Sequence, residues 1–136
     1  MLKLFIDSDV ILDLLIKRND FNSAAELFTE INHKKIQGFT SAFVFANMYY
    51  INTKYEGKKK SLENLKRLRQ LLSILAIDES IIDEALKARA ADFEDSIQYI
   101  TAEKSQIDFI ITRNKNDYKE CRLPVLTAGE FLDLLP

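Results

Sequence analysis

Residues 2–15 read LKLFIDSDVILDLL, and their rhythm changes at Asp7. Leu2 to Ile6 is a short, mostly apolar run that predicts a strand. From Val10 the apolar positions Ile11, Leu12, Leu15 and Ile16 fall at helical spacing. A strand feeding straight into a helix is the opening of an α/β unit, and the residue between them is an acid. An unpaired charge between two apolar elements is costly. Asp7 is therefore the first candidate functional residue, while Asp9 is either its neighbour in a site or a first-turn helix acid.

The pattern continues in both element types. Phe21 to His33 carries Ala24, Leu27, Phe28 and Ile31 on one face; Gly38 punctuates, and Gly38 to Thr40 predicts a second strand. Ser41 can cap a helix from Ala42 to Tyr55. The start of that helix is apolar nearly all round (Phe43, Val44, Phe45, Ala46, Met48), which predicts burial between other elements. Asn47 is the exception within it, either a satisfied core amide or a site residue. Ser61 to Ser73 reads as an amphipathic helix, with Leu62, Leu65, Leu68 and Leu72 inward and Lys66, Arg67 and Arg69 outward.

Ile74 to Ile77 predicts a third strand, Asp78 a cap, and Ile81, Ile82, Ala85 and Leu86 the core face of a helix. Asp92 opens the next helix, with Ile97 and Ile100 inward. Phe109 to Ile111 is a fourth strand, followed by the polar turn TRNKND from Thr112 to Asp117. Val125 and Leu126 form a fifth, and Thr127 with Glu130 makes a capping box for a last helix containing Phe131, Leu132 and Leu135. Strands alternating with helices imply right-handed crossovers and a parallel sheet of four to five strands, covered on both faces. Ligands of such sheets bind beyond the carboxyl ends of the strands.

Composition narrows the class. At 136 residues and 47% hydrophobic, with three Gly, two Pro and no repeat or linker, residues 1–136 are expected to form a single domain. Net charge is −2, so the overall balance does not advertise a polyanion partner. Lys58 to Lys60 with Lys66, Arg67 and Arg69 is a local basic run, either a solvated face or a contact for RNA phosphate. Cys121 is the only cysteine and His33 the only histidine, the latter expected at a solvated helix end. No run reaches the roughly 18–20 apolar residues of a membrane span, and acids interrupt the N-terminus before a secretory core is complete. The expected location is the cytoplasm.

Three acids could meet at the sheet edge: Asp7 after the first strand, Asp95 in the first turn of the helix before the fourth strand, and Asp117 beyond the fourth. Crowded carboxylates are unfavourable unless a cation offsets them, and hard oxygen donors with retained waters suit Mg²⁺ or Mn²⁺. Asn114 or Asp9 could complete the shell. Such a site is equipped for metal-assisted phosphodiester hydrolysis. Each acid also has a plainer reading: Asp92, Glu94 and Asp95 favour a helix N-terminus, and Asn114 and Asp117 are turn formers.

Together, LFIDSDVILDLL, TSAFVFANMYYI, DFEDSIQYITA, DFIITRNKNDY and PVLTAGEFL resemble the PIN-domain family, particularly small bacterial members similar to VapC-type toxins of toxin–antitoxin pairs. The likeness runs along essentially the whole chain. It implies a three-layer α/β/α fold and a Mg²⁺- or Mn²⁺-dependent endoribonuclease, working as a homodimer and inhibited by a small antitoxin. By the family's motifs, Asp7, Asp95 and Asp117 are the metal-binding acids, Ser8 is the small hydroxyl beside the first, and Asn114 is a further catalytic position behind Thr112. Asn47 departs from the pattern: it stands where most members carry a catalytic Glu, as in a subgroup that this chain resembles. An amide can bind a metal or orient water but adds no negative charge.

Two other enzyme classes start similarly. Asp7-Ser8-Asp9 after a strand also looks like the opening of haloacid-dehalogenase-type phosphatases, but no later GDxxxD-like motif follows. A phosphate-accepting receiver would need a Lys after its last strand, and Val125 to Gly129 has none. The main alternative is a PIN-like module that binds RNA or protein and, lacking the central Glu, is catalytically weak or inactive.

Overall fold

Leu4, Phe5 and Ile6 have no solvent exposure at all, because their strand, β1 (Lys3–Ile6), lies in the middle of the sheet and is covered on both faces. The computed structural model describes residues 1–89 and 92–136. Four further strands, β2 (Gln37–Ser41), β3 (Leu72–Leu75), β4 (Phe109–Ile111) and β5 (Val125–Leu126), complete a parallel sheet in the order β3-β2-β1-β4-β5. Register is set by pairs such as Phe5 with Phe39 on one side and Phe5 with Ile110 on the other.

Helices α1 (Ser8–Leu15) and α2 (Phe21–Asn32) carry the chain from β1 to β2, and α3 (Ala42–Glu56) and α4 (Lys58–Leu71) carry it on to β3. Right-handed crossovers put all four on one face, where α1 packs on α2 and α3, and α2 on α4. Helices α5 (Glu79–Lys87) and α6 (Phe93–Lys104) then return the chain past β1 to β4 on the opposite face. A 3₁₀ turn (Lys115–Tyr118) leads towards β5, and α7 (Ala128–Leu132) closes against α2. The expected three-layer α/β/α architecture is present. The chain winds one way through β1, β2 and β3 and the other way through β4 and β5. The strand order thus reverses between β1 and β4, the place where open α/β sheets leave a crevice.

The expected caps are in place: Ser41 for α3, Asp78 for α5, Asp92 for α6, and Thr127 with Glu130 for α7. Three details differ from the sequence reading. The third strand begins at Leu72, two residues earlier than expected, and α4 begins at Lys58 and ends at Leu71. Leu72 continues the helix's apolar stripe but pairs with Gly38 in the sheet, so side-chain periodicity gave no sign of the change.

Gly38 is not punctuation but the second residue of β2. A Cβ there would stand 2.6 Å from Leu72 Cδ2 and 2.8 Å from Ile31 Cδ1, so the glycine admits a close approach. Finally, α3 is not buried all round. Val44, Met48 and Asn52 form its one buried stripe, while Ala42, Ala46, Tyr50 and Tyr55 face outward. The near-continuous apolar run at its start, and an amide at Asn52 within the stripe, left the inward face invisible. No helix is long and apolar enough to cross a membrane among the described residues.

Candidate active site

Asp7 follows β1 and is the N-cap of α1: its Oδ1 accepts the Ser8 backbone N–H at 2.7 Å. The helix start therefore fixes one carboxylate oxygen. Its other oxygen, Oδ2, accepts the hydroxyl of Thr112, the residue after β4, at 2.9 Å. The same Thr112 hydroxyl lies 3.2 Å from Asp9 Oδ2, so one hydrogen faces two carboxylates. Asp9 Oδ2 also accepts the Arg113 backbone N–H at 2.9 Å, whereas its Oδ1 is buried without a partner. Asp9 is thus more than a first-turn acid, because it joins α1 to the turn after β4.

Asp95 comes from the first turn of α6, whose cap Asp92 accepts the backbone N–H groups of Glu94 and Asp95. A small cleft of about 70 Å³ runs between α6, the start of α1 and α3. Asp7, Ser8, Asn47, Asp95 and Gln98 line it, with Phe43 and Val44 as its apolar wall. A second cleft, of about 370 Å³, opens on the other side of Asp95 and is lined by Asp117 with Asp92, Arg89 and Lys119. Asp95 is therefore common to both.

Burial, and then the charges of Asp117, Asp92 and Asp7, push the Asp95 carboxyl up to about 7. Burial and the neighbouring Asp9 push Asp7 up to about 6, although Thr112 and Ser8 favour its ionised form. Asp9 is also raised, chiefly by burial, against the pull of Arg113. Carboxylates perturbed together in this way lie within reach of one another's fields. Among the described residues, no group of three or more His, Cys, Asp or Glu is already gathered tightly enough to hold an ion by itself.

The donor set nonetheless fits a small hard cation. It is all oxygen and negatively charged, and two residues from Asp7 a buried Asp9 oxygen has no partner. Mg²⁺ keeps several of its waters and needs only one or two direct carboxylates, so wider spacing suits it.

Of the residues expected from sequence, Asp7, Asp95 and Asp117 share one electrostatic cluster, and Asn47 lines the cleft between the first two. Asn114 does not enter either cleft; it is exposed, and its backbone N–H donates to Thr112 Oγ1 at 3.1 Å. Two residues went unnoticed in the sequence. Gln98 is buried in the first cleft, where its Oε1 accepts the Ser41 hydroxyl at 2.6 Å. Its signal was there to read: a polar residue between Ile97 and Tyr99, one turn beyond Asp95. Tyr118 is buried beside Asp7 with no hydrogen bond of normal geometry to its hydroxyl. Burial and Asp7 hold that phenol well above its usual range, so it stays protonated.

Known proteins carry the same arrangement of elements. Ribonuclease VapC1 of Aquifex aeolicus is 26% identical over 137 residues, covering 96% of this chain and 94% of its own length. VapBC from Salmonella typhimurium, solved bound to DNA, superposes with a TM-score of 0.73 at 14% identity over 94% of this chain and 99% of that one. Mycobacterium tuberculosis VapC20, described as a toxin that cleaves the sarcin–ricin loop, gives a TM-score of 0.64 at 15% identity over 79% and 86%. At these identities the two structures speak to the fold alone. The family model of the PIN domain matches residues 3–116, a span that includes Asp7, Asn47, Asp95 and the start of the turn after β4, and the chain belongs to the PIN domain family.

Proposed function

We propose that this chain is a Mg²⁺- or Mn²⁺-dependent endoribonuclease that hydrolyses RNA phosphodiester bonds in the cytoplasm, the toxin of a toxin–antitoxin pair. The observation that carries the reading is the perturbed group of Asp7, Asp95 and Asp117 at the strand-order reversal, with two clefts meeting at Asp95. Membership of the PIN family and similarity to a ribonuclease support the substrate class. Similarity to VapBC complexes supports a small antitoxin partner. Two exposed aromatic side chains of α3, Tyr50 at 65% and Tyr55 at 62%, support a homodimer.

Asp7, Asp95 and Asp117 would hold the ion. When bound, it lowers the pKa of a water and offsets charge on a phosphoryl oxygen. Asp7 is kept in place by the Ser8 N–H and the Thr112 hydroxyl. Asn47 and Gln98, on the far wall of the first cleft, supply amides that orient water or substrate. Asn114, exposed and outside both clefts, would orient substrate rather than hold the ion.

Cleavage of a mixed RNA pool by the purified chain tests this. We expect cutting with Mg²⁺ or Mn²⁺, none in excess EDTA, and none from Asp7→Asn. Equal cutting by Asp7→Asn, or in EDTA, would reject the metal mechanism. A second reading has its own support in Asn47, which brings no charge to the cleft that it lines: a PIN-like module that binds RNA or protein with weak or no catalysis. RNA binding by the unaltered chain without cutting would select it.

A further inference from the structure

Asp13 lies at the far end of α1 from Asp7, and its side chain is only 1% exposed. A buried carboxylate needs compensation, and Asp13 receives it from two arginines. Arg113 presents its fork, Nε donating to Oδ2 at 2.6 Å and Nη2 to Oδ1 at 3.2 Å. Arg18 donates from Nε to Oδ1 at 3.3 Å. The two partners differ in what they connect. Arg18 folds back from the loop that follows the same helix, five positions on. Arg113 comes from 100 positions away and belongs to the turn that ends in Asp117.

That turn is held at three successive points. Thr112 donates to Asp7, the Arg113 backbone N–H donates to Asp9, and the Arg113 side chain grips Asp13. Asp7, Asp9 and Asp13 all belong to the start and length of α1, so this helix sets the first half of the turn, while the half that carries Asp117 packs on α6 and β5 and is tied to Glu130 by Lys115. A planar fork bound at both of its nitrogens fixes orientation as well as distance, which a single ammonium contact does not. Neither Asp13 nor Arg113 lines a cleft of the site. Any effect of theirs on the site passes through the turn.

We propose that Asp13, acting through the Arg113 fork, is a positioning residue for the metal site: it sets the Thr112–Asp117 turn against α1 and so keeps Asp117 opposite Asp95 and Asp7. The inference rests on the metal-site reading above. A purely structural ion pair would contribute stability and nothing more. A positioning pair also governs how well the site takes an ion while the fold is intact.

The test is a Mn²⁺ titration of the full chain, followed by the electron paramagnetic resonance signal of the free ion, with thermal unfolding recorded on the same samples. Arg113→Ala is expected to weaken Mn²⁺ binding about 10-fold or more, as loss of a supporting contact around a metal site does. Guanidinium ion at a non-denaturing concentration should refill the space beside Asp13 and recover part of that loss. Arg113→Lys keeps the charge without the fork and should remain weak. Arg18→Ala removes the other partner of the same carboxylate and should bind Mn²⁺ as the unaltered chain does.

Unchanged Mn²⁺ affinity in Arg113→Ala, or an equal loss in Arg18→Ala, overturns the proposal. Should Arg113→Ala fail to fold, Arg113→Lys decides by the same criterion. Asp7→Asn separates the two levels. Loss of binding there, with retention in the Arg113 variants, removes the positioning role alone, while retention in Asp7→Asn removes the metal-site reading beneath it.

Discussion

Above neutral pH, Asp95 is ionised against its surroundings, and that has a measurable sign. Its folded value of about 7 lies above the ordinary 3.8, so the fold favours the protonated form. The stability this gives is full below about pH 4 and is lost as pH rises through 7. In metal-free protein, Asp95→Asn should therefore unfold at a higher temperature than the unaltered chain at pH 8, with little difference at pH 4. Calorimetry at the two pH values checks this, and an equal or lower melting temperature at pH 8 would count against charge crowding at the site. Asn47→Glu is the converse experiment. A further charge in the cleft of Asp7 and Asp95 should lower the metal-free melting temperature and tighten Mn²⁺ binding, read by the same titration. Asp7 was legible as a functional acid because it interrupts two apolar runs. Asp13 was not, because an acid at a helix end looks solvated until Arg113 is seen to reach it.

Element boundaries followed their capping residues more faithfully than their apolar rhythm. Ser41 does two things at once: its hydroxyl oxygen accepts the Val44 N–H that starts α3, and the hydroxyl donates to Gln98 on α6. Ser41→Ala should cost about 1–2 kcal/mol, from a lost cap and a buried amide left short of a partner. A shift in the urea midpoint with unchanged slope would show it. Gly38→Ala should cost about 1 kcal/mol, since the buried ends of Leu72 and Ile31 must move aside. The starts of α3, α5, α6 and α7 could be read from Ser41, Asp78, Asp92 and Thr127. The passage from α4 into β3 could not, because Leu68, inward on the helix, and Leu72, inward on the strand, continue one apolar spacing.

For the molecule as a whole, the sheet was legible because strands and helices alternate, and its reversal between β1 and β4 explains why acids far apart in sequence share a field. Which acids meet is a matter of crossover direction, and single-residue patterns do not carry it. An ion bound at this site competes with protons on Asp7 and Asp95, raised to about 6 and about 7. Added Mn²⁺ should therefore raise the melting temperature more at pH 8 than at pH 5.5, and an equal rise at both would place the ion elsewhere. The hydrogen bond from Thr112 to Asp7 spans 105 positions, and that distance is also a matter of time. A chain still being synthesised has β1, β2 and β3 and most of its helices long before it has Thr112. Until then Asp7 lacks the hydroxyl that holds it and has no Asp117 to face. A ribosome carrying a chain that stops short of β4 therefore carries the first acid of the cluster without the contacts that complete it.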